Sequence, residues 1–243
     1  MNSKSLRLYS ELASWWHLFS PPSHYVEEAE DLLPRLLAAP DAPPATLLEL
    51  GCGGGSLASH LKSSLDLTLT DRSPQMLEIS RAVNPECRHV LGDMRSIDLG
   101  EEFDLVFIHD AIVYATDAES VQATLDTARR HCRAGGGVCV VPDFVKETFE
   151  ASTSTGGEDG ANGQGLRYLQ WTWDPDAADT TYDVAYAFLL READGTVRVD
   201  SDLHREGIFP RAMWLQWLDS AGFTCSCDLD RWQRDVFVGR KRR

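Results

Sequence analysis

The stretch Leu47-Leu48-Glu49-Leu50-Gly51-Cys52-Gly53-Gly54-Gly55-Ser56 joins a short apolar run to closely spaced glycines, and its reading decides the fold. Glycine tolerates positive φ and carries no Cβ, so a strand ending this way can reverse sharply and offer bare backbone to a ligand. A helix entered directly afterwards would add its free N–H groups to that surface. The stretch therefore predicts the opening of a βαβ unit.

Downstream residues continue the pattern. Leu65 to Asp71 alternates as a strand should, and Asp71 lies 71 − 51 = 20 residues beyond the first glycine. At that distance a βαβ unit brings the end of its second strand beside the first loop, where a carboxylate can accept hydrogen bonds from a ribose diol. Ser73-Pro74 reads as a helix N-cap with proline in the first turn, and Met76, Ile79, Ser80 and Val83 as that helix's inner face. A third strand is expected over 87–91, closed by Gly92-Asp93-Met94, whose carboxylate could bind an adenine amine. Phe103 to His109 is the apolar run of a strand covered on both faces. Thr116-x-x-Glu119 suggests a capping box for a helix that runs by Val121, Leu125, Ala128 and Cys132 to Gly135-Gly136-Gly137, with a fifth strand at 138–141.

Alternating strands and helices predict an α/β fold: a doubly wound, Rossmann-like, mostly parallel sheet with ligands at the carboxyl ends of its strands. The glycine turn, Asp71, Asp93 and His109-Asp110 all fall at such ends. Residues 41–150 are the expected core. Residues 1–40 are expected to cover the site with two helices, one carrying Leu6, Tyr9, Leu12, Ala13 and Trp16, the other running from Tyr25 to Leu37 and kinked or divided at Pro34. Residues 151–208 are expected to insert a small antiparallel sheet of three strands behind a mobile, glycine-rich segment at 151–165. Residues 209–243 would add a last helix and, over 231–240, a last strand.

The 243 residues carry a formal charge of −15, which argues against nucleic acid as a partner. No stretch approaches the roughly 20 apolar residues of a membrane span, so a cytoplasmic protein is expected. Six scattered cysteines lack paired metal-ligand spacing, and no metal is expected.

The glycine spacing departs from the G-x-G-x-x-G of dinucleotide-binding turns. Glu49-x-Gly51-x-Gly53-x-Gly55 instead resembles the first motif of class I S-adenosylmethionine-dependent methyltransferases. Asp71 with Ser73-x-Gln75-Met76-Leu77, Gly92-Asp93-Met94, Phe103-Asp104-Leu105-Val106 and Arg133-Ala-Gly-Gly-Gly extend the likeness over essentially the whole chain. The resemblance implies that S-adenosyl-L-methionine is the cofactor, with the loop of Gly51, Gly53 and Gly55 at its methionine part, Asp71 at the ribose hydroxyls and Asp93 and Met94 at the adenine, and with Glu49, Arg72, Met76 and His109 as further cofactor-binding residues. Tyr9 and Tyr25 resemble N-terminal tyrosines that fold over the cofactor. Pro142, Glu147-Thr148-Phe149, Asp202-Leu203-His204 and Phe209 are similar to the bacterial deoxyaminosugar N,N-dimethyltransferases. In those enzymes tryptophans tend to stand where this chain has Asp143-Phe144.

A small-molecule acceptor follows, an amine such as an amino sugar, with Asp110, Asp143, Glu147 and Asp202 available to attract it. His109, Asp110, Tyr114 and His204 are the candidate catalytic residues, and the aromatic residues of the inserted strands are expected to cover the acceptor site or to form a subunit contact, a homodimer being the simplest outcome. Three alternatives stand beside this reading: methylation of oxygen, an NAD(P)-dependent oxidoreductase, and a non-catalytic cofactor-binding protein.

Overall fold

The computed structural model describes residues 6–243. Five parallel strands, β1 (Thr46–Leu50), β2 (Asp66–Asp71), β3 (Arg88–Leu91), β4 (Phe103–Ile108) and β5 (Cys132–Val140), join two C-terminal strands, β10 (Phe223–Leu229) and β11 (Asp235–Lys241). Their order is β10-β11-β5-β4-β1-β2-β3, with β11 antiparallel to both neighbours. The direction of winding reverses at β1, between β4 and β2, and this leaves a crevice beyond the carboxyl end of β1.

Alternation along the strands builds two cores. Val106 and Ile108 of β4 point with Leu48 and Leu50 toward α5 (Ala118–His131) and α6 (Arg211–Ser220), where they meet Leu125, Ala128, Trp214 and Leu218. Leu105 and Phe107 point the other way with Leu47 and Leu69, onto Leu32 and Leu36 of α2 (Val26–Ala38) and Leu57 and Leu61 at α3 (Ala58–Leu61). A sheet covered on both faces needs apolar residues at consecutive positions, as in Leu105-Val106-Phe107-Ile108. The helix α4 (Pro74–Val83) starts as expected, Ser73 Oγ accepting from the Met76 N–H.

The second sheet, inserted after β5, has four antiparallel strands in chain order: β6 (Ser152–Gly156), β7 (Gly165–Trp173), β8 (Thr181–Arg191) and β9 (Val197–Gly207). Its inner face buries Leu166, Phe188 and Leu190 against Leu8, Leu12, Trp15 and Leu18 of the N-terminal segment. On its outer face Leu169, Trp171, Leu189, Val199 and Leu203 remain 45–74% exposed.

Several expectations need correction. The N-terminal segment is not one helix but two 3-10 turns and α1 (Trp16–Phe19), and Leu8, Leu12, Trp15 and Leu18 form the buried stripe, leaving Tyr9 and Trp16 to face the sheet's carboxyl edge. Pro34 sits inside α2 without dividing it. Asp117, not Thr116, caps α5 by accepting from the Ser120 N–H at 2.7 Å. The glycines 135–137 do not end that helix; they lie within β5, where the register with β4 shifts. A Cβ at Gly137 would lie 2.7 Å from Ala39 and Leu105 carbons, which explains the need for glycine there. Within 151–165, Ser152–Gly156 pairs with β7 as an exposed edge strand, so the insertion has four strands, and β10 is a strand the periodicity did not reveal.

Candidate active site

A cavity of about 640 Å³ opens at the carboxyl ends of β1, β2 and β4. Gly51 and Cys52 both donate to the Thr70 carbonyl at 2.8 Å, fixing the glycine loop across the top of β2. Gly51 has φ +82°, and a Cβ on it would lie 2.2 Å from that of Ala111. Gly54 is covered by the Trp16 indole, whose Nε1 would be 2.3 Å from an added Cβ. Bare backbone is therefore what this loop can present. The following helix α3 is only one turn long, so the loop itself, rather than a helix N-terminus, forms the surface.

Asp71 accepts from Gly53 N–H at 2.9 Å and from Ser73 N–H at 2.7 Å, so both carboxylate oxygens are oriented by backbone and the group still borders the cavity. Its pKa is raised, chiefly by burial. Glu49 lies deeper. It is buried, its Oε2 has no hydrogen-bond partner, and burial pushes its pKa up to about 7, with Asp71 and Asp110 adding to the rise and His109 opposing it. A buried carboxyl without a partner suits a cationic ligand.

Arg72, Met94 and Tyr25 border the cavity as expected, and Asp93 does so while paired with Arg95. Gly55 and Met76 do not border it. A Cβ on Gly55 would strike Ser80 and Asn84, so this glycine lets the loop pack on α4, and Met76 is fully buried beneath the loop.

The other end of the cavity is acidic and aromatic. His109 is buried, with Nε2 2.8 Å from Glu28 Oε1 and Nδ1 3.2 Å from Asp110 Oδ2. Burial opposes its charge, but Asp110 and Glu28 outweigh that and raise its pKa. Glu28 also accepts from Arg234, whose Nε donates to Asp230 Oδ2 at 2.7 Å. Asp110, Asp143 and Glu206 line this end together, and the Asp143 pKa is driven well up by burial, then by Asp110 and Glu206. The remaining expected acids lie elsewhere: Glu147 accepts from the Arg211 N–H at the start of α6, and Asp202 accepts from Leu8 N–H and pairs with His204.

Tyr9 and Tyr114 border the same end, their hydroxyls 2.6 Å apart, and Tyr114 Oη is 2.9 Å from His204 Nδ1. His204 itself is fully buried behind them on the inner face of β9 and does not line the cavity. Among the described residues no cluster of His, Cys, Asp or Glu could hold a metal ion.

Glu28, Glu206 and Arg234 were not legible as site residues. Glu28 did carry a signal: it precedes Leu32 and Leu36 at four-residue steps, on the buried stripe of α2. Glu206 continues the inner-face alternation through His204 once β9 is extended to Gly207.

Residues 47–136 match the model of the methyltransferase domain. This segment of the chain is a methyltransferase domain. It holds the glycine loop, Asp71, Asp93 and the His109–Tyr114 segment. The dTDP-3-amino-3,4,6-trideoxy-alpha-D-glucopyranose N,N-dimethyltransferase of Streptomyces venezuelae is 29% identical over 127 residues, 51% of this chain. The chain spans about half the length of that relative, 53%. Two solved structures share the fold over most of their length. DesVI of Streptomyces venezuelae has a TM-score of 0.83 and 23% identity, covering 95% of this chain and 98% of its own. CalS10, described as an amino pentose methyltransferase of Micromonospora echinaspora, has a TM-score of 0.76 and 23% identity, covering 89% and 91%. The methyltransferase domain thus sits in a chain whose four-stranded insertion and N-terminal segment fall within the same overall likeness.

Proposed function

We propose that this protein transfers a methyl group from S-adenosyl-L-methionine to the amine of a small polar molecule, with an amino sugar as the leading acceptor. The observation that carries this reading is a single cavity with two unlike ends: backbone and the carboxyls of Glu49 and Asp71 at one, Asp110, Asp143 and Glu206 at the other. The cofactor supplies an electrophilic methyl on a positively charged sulfur. Loop 51–54 would hold its methionine part, the unpartnered Glu49 would answer its positive charge, and Asp71 would accept from the ribose diol. Met94, Arg72 and Asp93 would surround the adenine, and Tyr9 and Tyr25 would close over the site from the N-terminal segment.

Alignment of the acceptor is the main task of such a site, worth about 7–11 kcal/mol, and it requires water to be excluded. The aromatic cover of Tyr9, Trp16, Phe19 and Tyr186 serves that exclusion. Carboxylates at the acceptor end attract an ammonium and hold it, while raising its pKa, so turnover rises with pH as the bound nitrogen gives up its proton. The 29%-identical relative, an amino sugar N,N-dimethyltransferase by name, agrees with this acidic end.

The exposed outer face of the inserted sheet supports a homodimer through Leu169, Trp171 and Leu189, exposed apolar residues on the same face of the adjacent strands β7 and β8. Six free thiols agree with a reducing, cytoplasmic site of action, and among the described residues no helix is long and apolar enough to cross a membrane. Mass spectrometry of products from amine, hydroxyl and carboxyl acceptors offered side by side tests the acceptor. Methyl on an amino sugar nitrogen is the expected result; methyl only on oxygen overturns it.

A further inference from the structure

We propose that Tyr9, Tyr114, His204 and Asp202 form a proton relay that takes the acceptor's proton from the cavity to a buried imidazole. The proposal rests on the reading of this cavity as the place where an acceptor loses a proton, and it adds the base that receives it. Four groups from three separate segments lie in one hydrogen-bonded line. Tyr9 Oη is 2.6 Å from Tyr114 Oη, Tyr114 Oη 2.9 Å from His204 Nδ1, and His204 Nε2 3.0 Å from Asp202 Oδ2.

The line has a direction. Asp202 also accepts from Leu8 N–H at 2.8 Å, so its carboxylate is held charged and its pKa lies below the usual range. A charged Asp202 requires the proton of neutral His204 on Nε2, which leaves Nδ1 to accept from the Tyr114 hydroxyl. Tyr114 Oη then accepts from Tyr9, and the Tyr9 oxygen keeps its lone pairs for the cavity. Tyr9 feels Glu206, Asp143 and Asp110, so its hydroxyl stands at the acidic end. His204 is enclosed by the rings of Tyr9, Tyr114 and Tyr186 and by the carboxylates of Asp202 and Glu206, its Nδ1 3.7 Å from Glu206 Oε1. Arg205, next on the strand, is turned away to Asp183.

The step balances as follows. A proton leaves the acceptor nitrogen, whose N–H bonding pair stays behind as the lone pair needed for attack. Tyr9 Oη receives that proton and passes its own to Tyr114 Oη, which passes its own to His204 Nδ1. Both tyrosines end neutral, and one positive charge has moved from the acceptor to the imidazole between Asp202 and Glu206. When product leaves and water refills the cavity, the same line runs backward and releases the proton. The nearer carboxyls do not replace this base, because a carboxylate that holds the ammonium raises its pKa and so opposes the loss of the proton. Tyr9 is the catalytic residue of the set, and Tyr114, His204 and Asp202 act through it.

The test uses the full chain and the variants Tyr114→Phe and His204→Gln. Tyr114→Phe keeps the ring and its packing on Tyr9 and loses only the link. Each variant is expected to lower kcat about 10²-fold with KM little changed, and the double variant to fall no further than either single one. Wild-type kcat should fall on the acid side as His204 protonates, at a pKa raised above 6.5 because Asp202 and Glu206 outweigh burial, and His204→Gln should lose that limb. In ligand-free protein, ¹⁵N spectra of histidine should find His204 with its proton on Nε2, and its Nδ1 shift should move in Tyr114→Phe.

Losses that multiply, an unchanged acid limb, or a His204 protonated on Nδ1 when neutral would overturn the relay. A hydroxyl acceptor also has to lose a proton, so methylation of oxygen alone would defeat the amine reading while leaving the relay's non-additivity intact.

Discussion

The two ends of the cavity are built in opposite ways. The floor of the glycine-loop end comes from one continuous stretch of chain, 49–95, under Trp16 and Tyr25, and acts through backbone with a carboxylate at each strand end. The acidic end is assembled from Tyr9, the 109–114 segment, Asp143, Tyr186 and the 203–206 portion of β9, and acts through charged and aromatic side chains. A site made of local backbone needs only two consecutive crossovers to form. A site made of distant side chains needs both sheets, the N-terminal segment and the C-terminal hairpin to be in place, and its charges must be compensated across those joints.

The sharpest way to break that contrast is to remove the cation that spans the acidic end. Arg234 donates to Glu28 and to Asp230 and stands 4.0 Å from Asp110. Its position depends on Gln233, the one non-glycine residue with positive φ among those described, at +66°. Arg234→Met takes a counter-charge from Glu28, Asp230 and Asp110, of which Glu28 and Asp110 keep only His109, and breaking such a cluster costs about 3–5 kcal/mol. Because the Arg234 side chain keeps 22% exposure, about 3 kcal/mol is the expected loss, read from urea unfolding at neutral pH. Cofactor affinity of the folded variant should stay within about twofold of wild type, since no backbone of the glycine loop is touched. A midpoint unchanged in urea would mean that the acidic end does not depend on Arg234.

This contrast also explains what was legible in the sequence. Gly51, Gly53, Asp71 and Ser73 could be read because their spacing follows from one βαβ unit, and the hydrogen bonds from Gly53 and Ser73 to Asp71 are bonds within that unit. The resemblance also implies a cofactor role for Gly55 and Met76, but Gly55 packs the loop on α4 and Met76 is buried beneath the loop, so neither borders the cavity. Glu28 and Arg234 lie 206 residues apart, and no local pattern pairs them. The N-terminal segment misled for a different reason. Its apolar residues have near-helical spacing, but the inner face of the second sheet, reached more than 150 residues later, selects Leu8, Leu12, Trp15 and Leu18 and breaks the helix into turns. Tertiary burial outweighs propensity in a segment this short.

Glu49 gives the next largest effect and belongs to the glycine-loop end. Its pKa in the folded protein is about 7, against 4.5 when exposed. The folded state therefore favours the protonated form, so the stability this group contributes is complete below pH 4.5 and is lost as pH rises through 7. The full difference is about 3 kcal/mol by pH 8.5. Glu49→Gln lacks the titration, so the gap between variant and wild type should grow in the variant's favour by that amount between pH 4 and pH 8.5 in ligand-free protein. Measuring the change between two pH values removes any constant cost of the amide. In wild type, affinity for the positively charged cofactor should rise over the same interval, because an ionised Glu49 is the form that a cation stabilises. A flat gap would show that Glu49 is ionised throughout and already compensated.

The smallest of the three effects tests whether Asp71 serves the ligand or only the loop. Its two oxygens already accept from Gly53 and Ser73, so Asp71→Ala removes two internal hydrogen bonds as well as any bond to a ribose. A loss of affinity alone would be ambiguous. A bond to a charged acceptor is worth about 1.5–3 kcal/mol, so S-adenosylmethionine should bind roughly 10–150-fold more weakly to the variant by calorimetry. The 2′-deoxy analogue of the cofactor separates the two causes. On wild type it should bind more weakly than S-adenosylmethionine because a hydroxyl is missing from the diol that Asp71 accepts. On Asp71→Ala the two ligands should bind alike, because the partner of that hydroxyl is gone. If the analogue loses the same factor on both proteins, Asp71 shapes the loop and something else reads the ribose. The glycine-loop end would then depend on its backbone alone, and would differ still more from the charged end.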